Sequence, residues 1–225
     1  MLLRVRSITN LATRINGYEL VDPDGQDLPP FSAGAHISVR LAEGIVRDFS
    51  LWNDPVERTR YCIAVLREGL TSSRLHEEVR VGALVAGSVP RNNFPLAAGA
   101  QRHLLIAGGI GITPIMAMIA ELRRRRAEFQ VHYCTRSPEE TALLDDLAVL
   151  AALGSVQFHH DGGDPANGLD IAATLREWWP GTHLYCCGPA GMMATATVAS
   201  AHWPAGTVHF EFFEGPNAVV PMMPE

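Results

Sequence analysis

Over the first hundred residues, short runs recur that are either β-branched or alternate apolar with polar positions, the patterns of strands. The runs are Leu2 to Ile8, Tyr18 to Val21, His36 to Leu41, Ile45 to Leu51, Arg60 to Leu66 and Leu84 to Val89. Asp22-Pro23-Asp24-Gly25, Pro29-Pro30 and Asn53-Asp54-Pro55 separate them. These residues preset turn dihedrals or bond their own backbone. One helix interrupts the series at Arg74 to Val79, with Ser72 or Ser73 placed to cap it. Many short strands at this spacing predict a small antiparallel barrel.

After Pro95 to Ala100 the rhythm changes. His103 to Ala107 is a continuous apolar strand, followed by a glycine turn and a helical stretch through Arg126. Strands then recur at Gln130 to Cys134, Val156 to His159, His183 to Cys187 and Val208 to Phe212. Helices are predicted between them at Pro138 to Leu150, Leu169 to Trp178 and Ala190 to Ala201. Strands alternating with helices predict a doubly wound parallel sheet covered on both faces. The change of pattern puts a domain boundary near residue 99, giving units 1–99 and 100–225.

Composition narrows the function classes. With 47% hydrophobic and 19% charged residues, the 225-residue chain can build a packed core. Its formal charge of −6 and the lack of a basic stripe argue against duplex nucleic acid. The run Arg123 to Arg126 reads as the solvated end of a helix, where cations meet the negative end of the dipole. No apolar segment is long enough to span a bilayer, and the start lacks a secretory signal. Cys62, Cys134, Cys186 and Cys187 are spaced too irregularly for a disulfide framework. A cytoplasmic protein with free thiols is expected, without nucleic-acid or membrane partners.

Two strand-to-helix turns carry the candidate chemistry. Gly108-Gly109-Ile110-Gly111-Ile112-Thr113-Pro114 joins a buried strand to a helix. Its glycines let backbone approach an anion, and the first helical amides are unpaired donors. Pro114 suits the first helical turn, where no amide hydrogen is required. Cys187-Gly188-Pro189 makes a second such turn, and in an open α/β sheet both would face one crevice. Glycine turns also serve packing alone, and Cys187 can equally be a small buried hydrophobe. A third strand end, Cys134-Thr135-Arg136-Ser137, is placed for the adenosine part of a dinucleotide. It offers no acid for a ribose diol; Arg136 could instead meet a 2′-phosphate or simply be solvated.

Together with these turns, Arg47-Asp48-Phe49-Ser50-Leu51 and the ending His209-Phe210-Glu211-Phe212-Phe213 resemble the ferredoxin-NADP reductase superfamily. Asn53-Asp54-Pro55, Arg60 to Val65, Pro90 to Leu96 and His159 to Pro165 are similar to the phthalate dioxygenase reductase and vanillate demethylase reductase family. The resemblance is collinear along the chain. It implies an N-terminal antiparallel Greek-key flavin-binding barrel followed by a nicotinamide-nucleotide-binding domain whose C-terminal tail touches the flavin. It also implies an activity: NADH passes hydride to the flavin, which releases electrons singly to an iron–sulfur centre serving a terminal oxygenase.

Carried over residue by residue, the resemblance places Arg47 and Ser72 at the flavin phosphate and Ser50 near the reacting flavin nitrogen. Phe49, Leu51, Ala64, Val65 and Phe213 would line the flavin site, with Glu211 bordering the ring. Thr113 and Cys187 would flank the nicotinamide, so Ser50, Thr113, Cys187 and Glu211 form the catalytic set. Gly108, Gly109, Gly111, Pro114, Arg136, Gly188 and Pro189 complete the NADH site. FMN is the expected flavin with FAD as runner-up, and NADH the expected co-substrate.

Three departures qualify the match. Phe49 stands where a tyrosine is common in the family. Gly69-Leu70-Thr71-Ser72 lacks the double glycine of FMN-binding members. The chain stops at Pro224-Glu225, where close relatives continue into a ferredoxin domain, and no cysteines have the C-x4-C-x2-C spacing of its cluster. No metal site is therefore expected, and a [2Fe–2S] ferredoxin, separate or in a missing C-terminal domain, is the expected acceptor. Glu214 to Pro221 reads as a linker or a frayed end. The rivals are a reductase releasing free flavin, an FAD-type ferredoxin reductase, and a non-catalytic nucleotide-sensing module.

Overall fold

The computed structural model describes residues 1–40 and 45–213. The first seven strands are β1 (Leu2–Ala12), β2 (Ile15–Val21), β3 (Ala35–Arg40), β4 (Val46–Ser50), β5 (Tyr61–Leu66), β6 (Leu84–Gly87) and β7 (Arg91–Asn92). They form an antiparallel sheet in the order β4-β3-β6-β1-β2-β5, with β7 on β3. The chain beyond β4 meets β5: Trp52 N–H donates to the Cys62 carbonyl at 3.0 Å, and Cys62 N–H donates to Asn53 Oδ1 at 2.9 Å. The sheet thus curls into a barrel. Alternation fixes its inside: Leu3 and Val5 are buried while Leu2, Arg4 and Arg6 are exposed. Tyr18, Leu20, Ile37, Val39, Tyr61 and Ile63 fill the same core. Helix α1 (Gly69–Glu78) follows β5 and covers it with Leu75.

The second half runs β8 (Arg102–Gly108), α2 (Ile112–Arg125), β9 (Glu128–Thr135), α3 (Leu144–Ala152), β10 (Val156–His160), α4 (Ile171–Thr174), β11 (Thr182–Cys187), α5 (Ala190–Ala199) and β12 (Val208–Glu211). Its five strands are all parallel in the order β10-β9-β8-β11-β12. Both faces are covered. Leu105 and Ala107 point to a core with α2's Ile115, Met118 and Leu122, while Ile106 faces Leu184, Met193 and Trp203. That is why β8 is apolar without alternation. The winding reverses between β8 and β11, a switch point beyond whose strand ends ligands collect. The two sheets pack through Phe94 and Tyr185, whose rings lie 6.0 Å apart, and Ala97 N–H donates to the Tyr185 hydroxyl at 2.8 Å.

Four expectations are corrected. The helix expected after Ser72 or Ser73 begins at Gly69 with Glu68 as its cap residue. Ser72 lies one turn inside, where its hydroxyl accepts from Glu68 N–H at 2.7 Å and donates to the Glu68 carbonyl. The helix expected over Pro138 to Leu150 is a single 3-10 turn, Pro138–Glu140, separated from α3 by Leu143 at φ +59°. Thr141 Oγ1 donates to the Ser137 carbonyl at 2.9 Å and stops the turn from propagating. The helix expected over Leu169 to Trp178 contracts to α4, capped by Asp170, because Trp178 Nε1 donates forward to Thr182 O at 3.1 Å. Strand β7 was not expected, being two residues held only by pairing with β3. Glu214 to Pro221 lie outside the described residues. Among the described residues, no helix is long and apolar enough to cross a membrane.

Candidate active site

A cleft of about 1990 Å³ opens between the barrel and the C-terminal ends of the parallel strands. Its floor is the switch point. A Cβ on Gly111 would lie 2.2 Å from the Cys187 carbonyl oxygen, and one on Gly108 2.6 Å from Pro189 Cδ. Glycine therefore lets the turns after β8 and β11 touch through their backbones. Gly109, at φ +52°, supplies the left-handed step into α2. Gly108, Gly109, Thr113, Gly188 and Pro189 line the cleft. Thr113 is buried, its hydroxyl donating to the Ile110 carbonyl at 3.0 Å. Gly111 and Pro114 are buried as well, Pro114 in the first turn of α2 where it sacrifices no amide hydrogen bond.

The barrel supplies the opposite wall. Arg47, Phe49 and Ser50 of β4, Ala64 and Val65 of β5, and Ser72 of α1 all face the cleft. Leu51 is fully buried in the barrel core. Arg47 donates to the Val46 carbonyl at 3.0 Å and meets no carboxylate among the described residues, so its charge is open to an anionic ligand. Glu211 and Phe213 close the site from the end of β12, and Arg136 stands at the end of β9.

Ser50 Oγ donates to Glu211 Oε2 at 3.2 Å and ties β4 to β12, residues 161 apart in sequence. Burial pushes the Glu211 carboxyl up to about 7; the Ser50 hydrogen bond opposes that shift and the Asp48 charge adds to it. Cys187 is fully buried beneath this pair, and burial raises its thiol well above the ordinary range, with Glu211 and Cys186 adding to the shift. A thiol so placed is a neutral packing group, not a nucleophile.

Sequence reasoning missed a polar cluster beside Glu211. Ser38 Oγ donates to Asp48 Oδ1 at 2.5 Å, Arg91 donates to Ser38 Oγ at 2.7 Å, and His36 Nε2 lies 3.9 Å from Asp48 Oδ2. Burial lowers the His36 pKa while Asp48 opposes it. The signal was present in β3, where His36 and Ser38 alternate with the core residues Ile37 and Val39 yet His36 is buried. Also missed were Arg14 on the β1–β2 hairpin, His159 in β10 and Asp161 just after it, all of which line the cleft. Among the described residues, no group of three or more His, Cys, Asp or Glu side chains could hold a metal ion.

Comparison with known proteins gives this geometry a context. Residues 88–207 match the family model described as dimethylamine monooxygenase subunit DmmA-like, N-terminal domain. The reductase subunit of tert-butanol monooxygenase / tert-amyl alcohol desaturase from Aquincola tertiaricarbonis is 50% identical over 99% of this chain and 66% of the relative. Phthalate dioxygenase reductase from Burkholderia cepacia is 42% identical over 96% of this chain and 68% of its own. A solved structure of phthalate dioxygenase reductase, titled as a modular structure for electron transfer from pyridine nucleotides to [2Fe–2S], superposes with a TM-score of 0.92 at 41% identity. That match covers 97% of this chain and 69% of the solved one. The chain thus spans about two thirds of the length of the relatives it matches. On identity, coverage and fold together, the chain belongs to the phthalate dioxygenase reductase family of oxygenase-system reductases.

Proposed function

We propose that this chain is a flavin- and NADH-dependent oxidoreductase unit that delivers electrons to an iron–sulfur protein or domain of an oxygenase system. The observation that carries the reading is the Ser50–Glu211 hydrogen bond across the mouth of the glycine-turn crevice. It puts a hydroxyl and a carboxyl with a pKa of about 7 where the barrel wall and the nucleotide turns meet. A flavin held there by Arg47 and the β4–β5 wall would supply the chemistry of taking a hydride from NADH and passing its electrons on one at a time. The chain's part is to hold two rings in contact and to control the proton.

Arg47 binds the flavin phosphate, Ser72 lines the cleft and joins it only by turning its hydroxyl away from the Glu68 backbone, and Phe49, Leu51, Ala64, Val65 and Phe213 shape the ring pocket. Ser50 and Glu211 hold a proton at its reacting edge. Gly108, Gly109, Gly111, Pro114, Gly188 and Pro189 receive the dinucleotide, with Arg136 at its adenosine end. Thr113 and Cys187 flank the nicotinamide, Cys187 by shape, since its thiol is wholly enclosed. The flavin is FMN and the preferred donor NADH over NADPH.

The absorption spectrum of the purified protein, followed under argon as NADH is added, tests the reading. A flavin spectrum that bleaches at once is expected, with an FMN mass for the cofactor released by heat. An FAD mass overturns the choice of flavin, a higher kcat/KM with NADPH overturns the choice of donor, and a protein that NADH does not bleach overturns the function.

A further inference from the structure

The β1–β2 connection is a two-residue hairpin, Thr13-Arg14, closed by the Ala12–Ile15 pair. Arg14 adopts φ +62°, a left-handed conformation that turns reserve for glycine or asparagine. A strained non-glycine residue persists where the surrounding structure holds it, and such outliers gather at ligand sites. Here the surroundings hold it twice. Thr13 N–H donates to the Glu139 carbonyl at 2.8 Å, tying the barrel hairpin to the 3-10 turn after β9. Arg67 N–H donates to the Arg14 carbonyl at 2.7 Å from the other side.

So fixed, Arg14 lines the cleft together with Arg136 and Glu140. Among the described residues its side chain has neither hydrogen bond nor ion pair, whereas Arg91, in the same cleft, is paired with Asp48. A free guanidinium held at strained backbone over the strand-end crevice is the chemistry that receives phosphate. Two phosphate sources meet in this cleft, the flavin and the dinucleotide. The hydrogen bond to Glu139 favours the second, because it anchors the hairpin to the 3-10 turn that follows β9 and Arg136, while on the barrel wall Arg47 is a cation without an ion pair among the described residues.

We infer that Arg14 clamps the pyrophosphate of the nicotinamide dinucleotide, so that the barrel hairpin contributes directly to dinucleotide binding. The inference rests on the function proposed above. Arg14→Gly separates binding from structure, because glycine relieves the strained dihedral while removing the charge. Binding of ADP-ribose by calorimetry, the NADH concentration dependence of flavin reduction, flavin content and melting temperature are compared in parent, Arg14→Gly and Arg14→Lys. Expected in Arg14→Gly are about tenfold weaker binding of ADP-ribose and NADH, an unchanged limiting reduction rate, full flavin content and an equal or higher melting temperature. Arg14→Lys keeps the charge and falls between. Parent-like affinity in Arg14→Gly overturns the inference, and so does flavin loss with unchanged ADP-ribose affinity, which moves the contact to the flavin phosphate. A parent protein that NADH fails to reduce, yet binds ADP-ribose through Arg14, overturns the proposed function and leaves the clamp standing.

Discussion

Replacing Glu211 by glutamine should stabilise the protein, and only above a definable pH. The carboxyl titrates near 4.5 in an unfolded chain and near 7 in the fold, because burial and the Asp48 charge disfavour the carboxylate more than the Ser50 hydrogen bond supports it. Below pH 4.5 it is protonated in both states and adds nothing to the pH dependence. As pH rises, the unfolded chain releases its proton first, so stability falls until the folded group also ionises near 7. The full difference is about 3 kcal/mol, and residual solvent contact along β12 lowers it to about 2. Glutamine keeps an oxygen for Ser50 and carries no charge. At pH 4 the variant and the parent should therefore melt at nearly the same temperature. At pH 8 the variant should melt higher by roughly 4–8 °C. NADH-driven flavin reduction should slow in the same variant, since the amide cannot hold or release the proton at Ser50; a functional carboxylate then costs the fold stability. A melting difference that does not change with pH, or a variant less stable than the parent at pH 8, would refute the reasoning.

Gly111→Ala should cost about 3 kcal/mol or more and abolish dinucleotide binding, because its methyl would meet the Cys187 backbone carbonyl at 2.2 Å. Gly109→Ala has open space and pays only for its positive φ, about 1 kcal/mol; equal denaturation midpoints for the two variants would contradict the packing described. Arg47→Ala should weaken flavin retention roughly ten- to hundredfold, as the loss of one charge-assisted phosphate partner implies, and unchanged flavin content after gel filtration would remove Arg47 from the site. His132 and His159 share a hydrogen bond at 3.0 Å, and burial, reinforced by His159, lowers His132 to about 4. Stability should fall as pH drops from about 6.5 towards 4, by roughly 1–2 kcal/mol, and His132→Phe should flatten that part of the denaturation profile.

What the sequence displayed and what it concealed divide along one physical line. Period-two alternation in β1 and the unbroken apolar runs of β5 and β8 are local signals, since each follows from which faces are buried, and both sheets were legible from them. The glycine turns were legible for the same reason: a strand end, three glycines and a proline fit in one short window. The misses are features that hydrophobic periodicity does not encode, a distant pairing in one case and a local side-chain bond to the backbone in two. Strand β7 exists only through β3, some fifty residues earlier. The helix after β9 is cut short by a hydroxyl that bonds the Ser137 carbonyl. Ser72 has the composition of a cap but spends its hydroxyl on Glu68, because Gly69 turns the chain into the helix a turn earlier.

The site follows the same rule. His36, Ser38, Asp48 and Arg91 form one cluster only because the β3–β4 register sets Ser38 opposite Asp48 and His36 opposite Ser50, a register that no single run of residues specifies. Ser50 and Glu211 are more distant still. Each is an unremarked polar residue at a strand end, and only the order of strands in two separate sheets brings them within a hydrogen bond. Family resemblance could pair them in advance because it carries strand order; periodicity could not. The groups hardest to find from pattern are thus those to which the proposed chemistry assigns the proton, since a carboxyl acquires a pKa near neutrality only when elements remote in sequence combine to bury it.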